Sequence, residues 1–434
     1  MTLLVVSPDY ASHLFPLLAL AGAWAEAGDR VVVATGPGVA DHVARAGFER
    51  VDLVLGRGSN PGTARADEQP RGEDENLRAF FAATRDGALA TLRLQAELRR
   101  SDLLWQPVET GRRTIELVET VRPDAIVVDH LAFGATVGLR AAGIPYADVV
   151  LGHPSALPVA GERYGVPPAW PSVIRPDPAG LAVLEGLADE VARGFTDDYV
   201  AALRALDPGA AAVDDAFTVH GAPVLFSYPA DLHDPVRTAR LPDRHAFLGS
   251  LVRDEVPDDA AAGWLAADDG RPLVVISFGT FLSARADVLA RIAAALRGLD
   301  VRVALATGSA DPAELGPLPA DWLVRPFIPQ VALVRQAALA LTHGGNNGVT
   351  EALTAGVPLL VLPFSTDQFA IAADLERSGL GLVLDPNGAD GSAIRAAAIG
   401  LMDGPGQAAA AALGEGLRAD PGPKRARRAV VGSG

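Results

Sequence analysis

Three groups of residues in this 434-residue chain have the types and spacing to do chemistry together. The densest is Leu341-Thr342-His343-Gly344-Gly345-Asn346-Asn347-Gly348-Val349-Thr350-Glu351. The apolar run 337–341 reads as a buried strand leading into it, and 348–355 as a helix leading out, closed by Gly356-Val357-Pro358. A strand that hands over to a helix through a His, two glycines and two amides builds an anion site, because backbone N–H groups and a positive helix end face the incoming phosphate. The glycines admit close backbone approach. His343 and Asn347 add side-chain donors. Glu351 lies one helical turn past Asn347 on the same face. A carboxylate there repels phosphate and suits a ribose diol, so the stretch specifies a nucleoside diphosphate with its sugar attached. The plainer reading, a glycine-rich strand-to-helix turn, explains the glycines but not the order His, Gly-Gly, Asn-Asn, Glu.

The second group is His13 and Asp129. His13 falls at a helix start just past the first strand, where the helix dipole lowers its pKa and keeps the imidazole neutral, as a general base requires. Asp129 ends a different strand of the same sheet. A carboxylate facing the distal imidazole nitrogen fixes the tautomer and stabilises the imidazolium. Either residue alone reads as a helix cap; the pair favours catalysis. His130 and His153 stand in reserve, with structural or acceptor-lining roles, and His42, His220, His233 and His245 read as surface or linker residues. The third group follows strands of the second half: Ser277 to Thr280, Phe327 to Gln330, and Asp367-Gln368.

The elements that position these groups are short apolar strands alternating with helices. Leu3 to Val6 is all apolar, as in a parallel sheet covered on both faces, and a helix over 14–27 and a strand over 30–34 complete a right-handed βαβ unit. The rhythm continues to 224–226, with one helix expected over 76–100, and restarts at 272–276. The expected fold is α/β, two Rossmann-like doubly wound domains facing each other across a cleft, with ligands at the strand C-terminal ends. The expected divisions are an acceptor-binding domain at 1–226, a proline-rich linker at 227–245, a nucleotide-sugar-binding domain at 246–405, and a C-terminal segment at 406–434 whose alanine run can form a helix before a disordered tail. The polar stretch 56–75 reads as a mobile surface loop or a lid.

Composition removes several classes. A formal charge of −16 argues against nucleic acid and anionic membrane as partners, and requires that phosphate capture be local. With no cysteine, disulfides and thiol chemistry are excluded. The first apolar run is broken by Ser7, Pro8, Asp9 and Tyr10 and is not a signal peptide, and no run approaches the ~20 residues of a membrane span. A cytoplasmic protein, monomeric or homodimeric, is expected. Asp214-Asp215, Asp258-Asp259 and Asp268-Asp269 read as solvated loops, so no metal dependence is expected.

The run Phe327-Ile328-Pro329-Gln330, then Thr342-His343-Gly344-Gly345-Asn346-Asn347, Glu351, Gly356-Val357-Pro358, Pro363 and Asp367-Gln368, resembles the nucleotide-sugar signature of glycosyltransferase family 1 enzymes with the GT-B fold. It is most similar to the bacterial natural-product branch, and the resemblance extends from His13-Leu14-Phe15-Pro16 to the helix after Gly381. It implies that Phe327 stacks on the base, that Gln330 lies near base or ribose, that His343, Gly345, Asn347 and the Gly348 amide take the diphosphate, and that Glu351 takes the ribose. It implies further that Asp367 and Gln368 hold sugar hydroxyls, that Ser277 and Thr280 lie near phosphate and sugar, and that His13 is the base with Asp129 its partner. There are departures. Gly348 replaces a commoner Ser or Thr, Ser12 replaces a usual Gly, and the C-terminal segment that normally crosses back to the first domain is weakly patterned.

The resulting expectation is an inverting glycosyltransferase that needs no cofactor. It would move a sugar, a deoxysugar on dTDP rather than UDP-glucose, to a hydroxyl of an apolar natural-product aglycone. Phe80, Phe81, Trp105, Phe133, His153 and Tyr164 are the candidate acceptor wall. The rivals are a nucleotide-sugar 2-epimerase and a non-catalytic auxiliary protein of the same fold. A Rossmann dehydrogenase is disfavoured, because no Gly-X-Gly-X-X-Gly follows the first strand.

Overall fold

Strands that are apolar on both faces must be covered on both, and this chain does so twice. The computed structural model describes residues 1–56, 58, 73–279 and 285–432. The first sheet contains β1 (Thr2–Val6), β2 (Arg30–Thr35), β3 (Glu49–Asp52), β4 (Ala125–Asp129), β5 (Ala147–Val150), β6 (Val224–Phe226) and β7 (His245–Phe247), in the order β3-β2-β1-β4-β5-β6-β7. The second contains β8 (Leu273–Ser277), β9 (Arg302–Ala306), β10 (Leu323–Arg325), β11 (Leu339–Thr342), β12 (Leu359–Val361) and β13 (Gly381–Val383), in the order β10-β9-β8-β11-β12-β13. Strand pairing is parallel in both. In each sheet the order reverses direction between two neighbours, β1 and β4 in the first, β8 and β11 in the second. Ligands bind in the crevice such a reversal opens at the strand C-termini.

Three expectations about organisation change. The stretch 227–245 is not simply a linker, because His245–Phe247 pairs in parallel with Val224–Phe226 and closes the first sheet as β7. The single helix expected over 76–100 is two, Glu73–Asp86 and Ala88–Leu103, because Gly87 takes φ 110° and breaks it. The tail is helical. Gly406–Ala419 is followed by Gly422–Val431, which returns to the first half and lies on the helix Ala11–Glu26, burying Ala426 beside Leu14, Leu17 and Trp24. The basic cluster is neutralised there, with Arg427 on Asp29 at 2.9 Å and Arg425 and Arg428 on Asp420 at 2.9 and 2.8 Å. The expected loop or lid over 56–75 lies mostly outside the described residues.

The halves touch along the cleft. Asn346 donates through Nδ2 to the carbonyls of Leu151 (2.6 Å) and Ser227 (2.8 Å), and is buried. Ser172 bonds Glu376, and Asn387 donates to the Thr84 carbonyl. Where the chain crosses to the second half after β7, it lies against its own return path: a Cβ on Gly422 would sit 2.1 Å from the Ser250 carbonyl oxygen, and one on Gly249 2.5 Å from Leu417. Among the described residues no helix is long and apolar enough to cross a membrane.

Candidate functional site

The reversal in the first sheet places His13 and Asp129 together. His13 is in the first turn of Ala11–Glu26, entered straight from β1, and Asp129 is the last residue of β4. Their side chains meet at 2.7 Å, His13 Nδ1 to Asp129 Oδ2, with Asp129 1% exposed. The other oxygen of Asp129 accepts from the Leu131 amide at 2.9 Å, which fixes the carboxylate. Burial opposes the imidazolium, but Asp129, by charge and hydrogen bond, and Asp367 outweigh it and raise the His13 pKa. The expected lowering by the helix end is therefore overturned. A carboxylate in contact acts more strongly than the partial charge of a helix terminus. Nε2 is left on the far side of the ring from Asp129.

The reversal in the second sheet builds the phosphate turn. Gly344 takes φ 88°, the left-handed region that favours glycine. Gly345 has an ordinary φ of −65° but no space: a Cβ there would lie 2.4 Å from His343 Nε2. The helix Asn346–Ala355 begins at once, and its first internal bond is Val349 N–H to Gly345 O, so the amides of residues 346–348 point out of the helix end. Burial, opposed by Asp367 and the Ser277 backbone, pushes the His343 pKa down to about 4, so the ring is neutral at neutral pH. Its Nδ1 is buried and makes no hydrogen bond among the described residues. Asn347 donates through Nδ2 to the Ser12 carbonyl at 2.7 Å, which sets the phosphate turn against the residue before His13. A Cβ at Gly348 would stand 3.5 Å from Gln330 and 3.6 Å from Thr342, so a hydroxyl-bearing residue would fit there.

Glu351 and Gln330 lie together, Gln330 Nε2 donating to Glu351 Oε2 at 2.6 Å. The sequence reading missed Arg253. It donates to Glu351 Oε1 at 3.2 Å and to Glu255 at 2.7 Å, and its guanidinium lies 4.9 Å from the centre of the Phe15 ring. Nothing in the sequence pairs an arginine of the crossing segment with a glutamate 98 positions away. Burial raises the Glu351 pKa against the pull of Arg253 and Gln330. Phe327 is 54% exposed, an open apolar face on a loop.

Asp367 is spoken for across the cleft: its Oδ2 accepts from the His153 amide at 2.8 Å, and its Oδ1 from Thr366 at 3.0 Å. Thr366 itself holds φ 51°, strained backbone for a β-branched residue. The Gln368 side chain is turned inward, accepting from the amides of Phe364 and Ser365 at 2.9 and 3.1 Å and donating to Ser365 Oγ. Ser277 ends β8 beside His343, and its Oγ accepts from Gly279. Thr280 lies outside the described residues.

The expected acceptor wall is only partly assembled. Phe133 is 1% exposed and packs between Phe195 and Phe217, at ring distances of 5.0 and 5.7 Å, so it is core. His153 is buried in a latch between the halves, with Nε2 3.1 Å from Asp374 and Nδ1 2.8 Å from Ser155, so its side chain does not line a wall. Phe80 joins the core of the second half, and Phe81 packs against it. Their helix touches the second half, where Asn387 donates to the Thr84 carbonyl. Trp105 is half-buried at the start of the helix Pro107–Val121. Tyr164 stacks on Phe217 at 4.1 Å with Arg99 over its ring at 4.6 Å. Burial raises its pKa, Arg99 opposes, and Asp367 and Asp129 add to the rise.

Comparison with known proteins bears on the family and the fold. Residues 246–405 match the profile of the UDP-glucoronosyl and UDP-glucosyl transferase family. Demethyllactenocin mycarosyltransferase of Streptomyces fradiae is 30% identical over 380 residues, which cover 86% of this chain and 73% of that protein. The 4'-demethylrebeccamycin synthase of Lentzea aerocolonigenes is 35% identical over 166 residues, 38% of this chain and 39% of that protein. Among solved structures, the glycotransferase of kitacinnamycin superposes with a TM-score of 0.69 at 23% identity over 99% of both chains. Glycosyltransferase VinC in complex with dTDP superposes at 0.67 and 18% identity, over 98% of this chain and 97% of that one.

Proposed function

The chain belongs to the UDP-glucoronosyl and UDP-glucosyl transferase family, is an NDP-sugar-dependent glycosyltransferase with the GT-B fold, and on that basis we propose that it transfers a deoxysugar with inversion from a dTDP-sugar to a hydroxyl of an apolar natural-product aglycone. His13 Nε2 takes the proton of the acceptor hydroxyl. The acceptor oxygen forms its bond to the anomeric carbon on the face opposite the nucleotide, and the bond from that carbon to the diphosphate breaks, its electron pair leaving on phosphate oxygen. Asp129 stabilises the imidazolium as it forms. His343, as a neutral donor, and the amides of residues 346–348 take the charge that develops on the diphosphate. Glu351 and Gln330 hold the deoxyribose, Phe327 faces the base, and Asp367 exchanges its bond to the His153 amide for a sugar hydroxyl. The observation that supports this reading best is the 2.7 Å His13–Asp129 pair held against the phosphate turn through Asn347 and Ser12.

Two measurements test it. Proton NMR of the product should show the anomeric configuration opposite to that of the donor, with turnover unchanged by excess EDTA. A retained configuration, or loss of turnover to the chelator, would sink the mechanism. Asp129→Asn should lower the kcat/KM plateau by about 10²–10⁴. It should also move the acidic limb to lower pH. Asp129 raises the His13 pKa, so its loss lowers that pKa and the free base persists into more acid solution. A limb that stays in place, or moves up, would show that His13 is not the titrating base.

A further inference from the structure

The three fully buried arginines each face a carboxylate: Arg237 meets Glu162 at 2.9 Å, Arg285 meets Asp287 at 2.8 Å, and Arg302 meets Asp268 at 3.3 Å. Arg99 differs. It makes no ion pair among the described residues, and its hydrogen bond there is a long one, Nη1 to the Tyr164 carbonyl at 3.4 Å. Most of the five N–H donors of its guanidinium are therefore unspent. One face of the group is covered by the Tyr164 ring, 4.6 Å away at its centre, and that ring is backed by Phe217, stacked at 4.1 Å. Gly165, at φ 82°, makes room for it, since a Cβ there would lie 2.5 Å from Arg99 Cζ. Burial lowers the Arg99 pKa, with Tyr164 opposing, yet the side chain is only partly buried. It borders a recess and not a sealed core.

The recess lies on the acceptor side of the cleft. Arg99 is on the helix Ala88–Leu103, and the part of that helix before it faces the second half: Leu92 packs with Phe369, and Gln95 accepts from the Thr366 amide at 3.3 Å. Arg99 follows Gln95 by four residues on the same face, about 6 Å further along the helix. Thr366 adjoins Asp367, the residue proposed for the donor's sugar. Tyr164 comes from the loop that follows β5, at the strand C-termini where ligands bind. A partly desolvated guanidinium with open donors is completed best by a carboxylate, which supplies the countercharge and matches the fork. A neutral carbonyl fills one donor and leaves the charge uncompensated. The protein's formal charge of −16 repels acids, so an acidic ligand is held only where a cation is kept free for it. We propose that the acceptor, apolar over most of its surface, carries a carboxylate, and that Arg99 pairs with it. The inference rests on the transferase reading above and adds to it the charged group of the acceptor.

The probes are 6-hydroxy-2-naphthoate and its methyl ester, which share an apolar body and a hydroxyl and differ in charge. Each is titrated calorimetrically into the full-length protein saturated with dTDP or UDP, whichever binds more tightly. The acid should bind more tightly than the ester by about tenfold or more. Arg99→Met keeps an apolar stem over Tyr164 and should bring the acid down to the ester, with ester and nucleotide affinities unchanged. Arg99→Lys keeps the charge but not the fork. It should lose about threefold of the preference and retain the rest, and it serves if the Met variant does not fold. Equal binding of acid and ester, binding of neither, an unchanged preference in the folded variants, or a changed nucleotide affinity would overturn the inference while leaving the nucleotide site standing. Failure of dTDP and UDP alike to bind the native protein would overturn the transferase reading itself, and this inference with it.

Discussion

His13→Ala will lower turnover by about 10³-fold or more and leave nucleotide affinity within twofold of the native protein. General base catalysis contributes roughly 10²–10⁴ in rate. A base already oriented by a fixed carboxylate sits toward the upper end, about 4–5 kcal/mol at 1.36 kcal/mol per tenfold. The second half of the expectation follows from where His13 makes its contacts. Its side chain bonds Asp129 at 2.7 Å and meets the Tyr10 ring at 6.1 Å, both in the first half, whereas Glu351, Gln330 and the phosphate turn belong to the second. Single-turnover rates with saturating donor, together with calorimetric titration of the nucleotide, separate the two effects. Turnover within tenfold of native would remove His13 from the mechanism. Lost nucleotide affinity would mean that the residue acts on the donor.

Gly345→Ala should weaken nucleotide binding by about tenfold to a hundredfold, whereas Gly348→Ala, three residues on, should be nearly neutral. The contrast is one of space alone, since the Gly345 φ of −65° suits any residue. A methyl at 345 would lie 2.4 Å from His343 Nε2 and 2.9 Å from Cε1. Forced overpacking of this kind costs about 1–3 kcal/mol. It falls on the imidazole assigned to the diphosphate, so it should appear in the dissociation constant more than in Tm. At Gly348 the nearest atoms stand at 3.5 and 3.6 Å, ordinary contact. Equal nucleotide affinity in the two variants would show that His343 does not touch the ligand.

The parts of this protein written in local pattern were legible before the structure. The apolar runs became strands, and the His-Gly-Gly-Asn-Asn order became a strand-to-helix turn whose glycines have separate reasons, conformation at 344 and space at 345. The pairing of His13 with Asp129 was legible because both follow strands that a doubly wound sheet must bring together. What was not legible depends on distant partners. The short strand His245–Phe247 reads as part of a proline-rich connection until Val224–Phe226 gives it a ladder. The helix Gly422–Val431 looks like a charged tail until Asp29 and Asp420 neutralise it. Arg253 has no motif, and Phe133 and His153 could not be told from pocket residues, because an aromatic or imidazole ring in a core and one on a wall look the same in one dimension.

The contact between the outgoing chain at 248–250 and the returning chain at 417–422 has a mechanical consequence. Two crossings side by side act as the spine of a book. The halves can turn about that line, but neither can slide or twist against the other without tearing one crossing from its neighbour. Gly422 and Gly249 are the pins: with a Cβ on Gly422 only 2.1 Å from the Ser250 carbonyl oxygen, no larger residue fits the seam. On the page edges opposite, the Asn346 amide and the Asp367–His153 bond are the clasps, and they lie at the very residues a nucleotide sugar would approach.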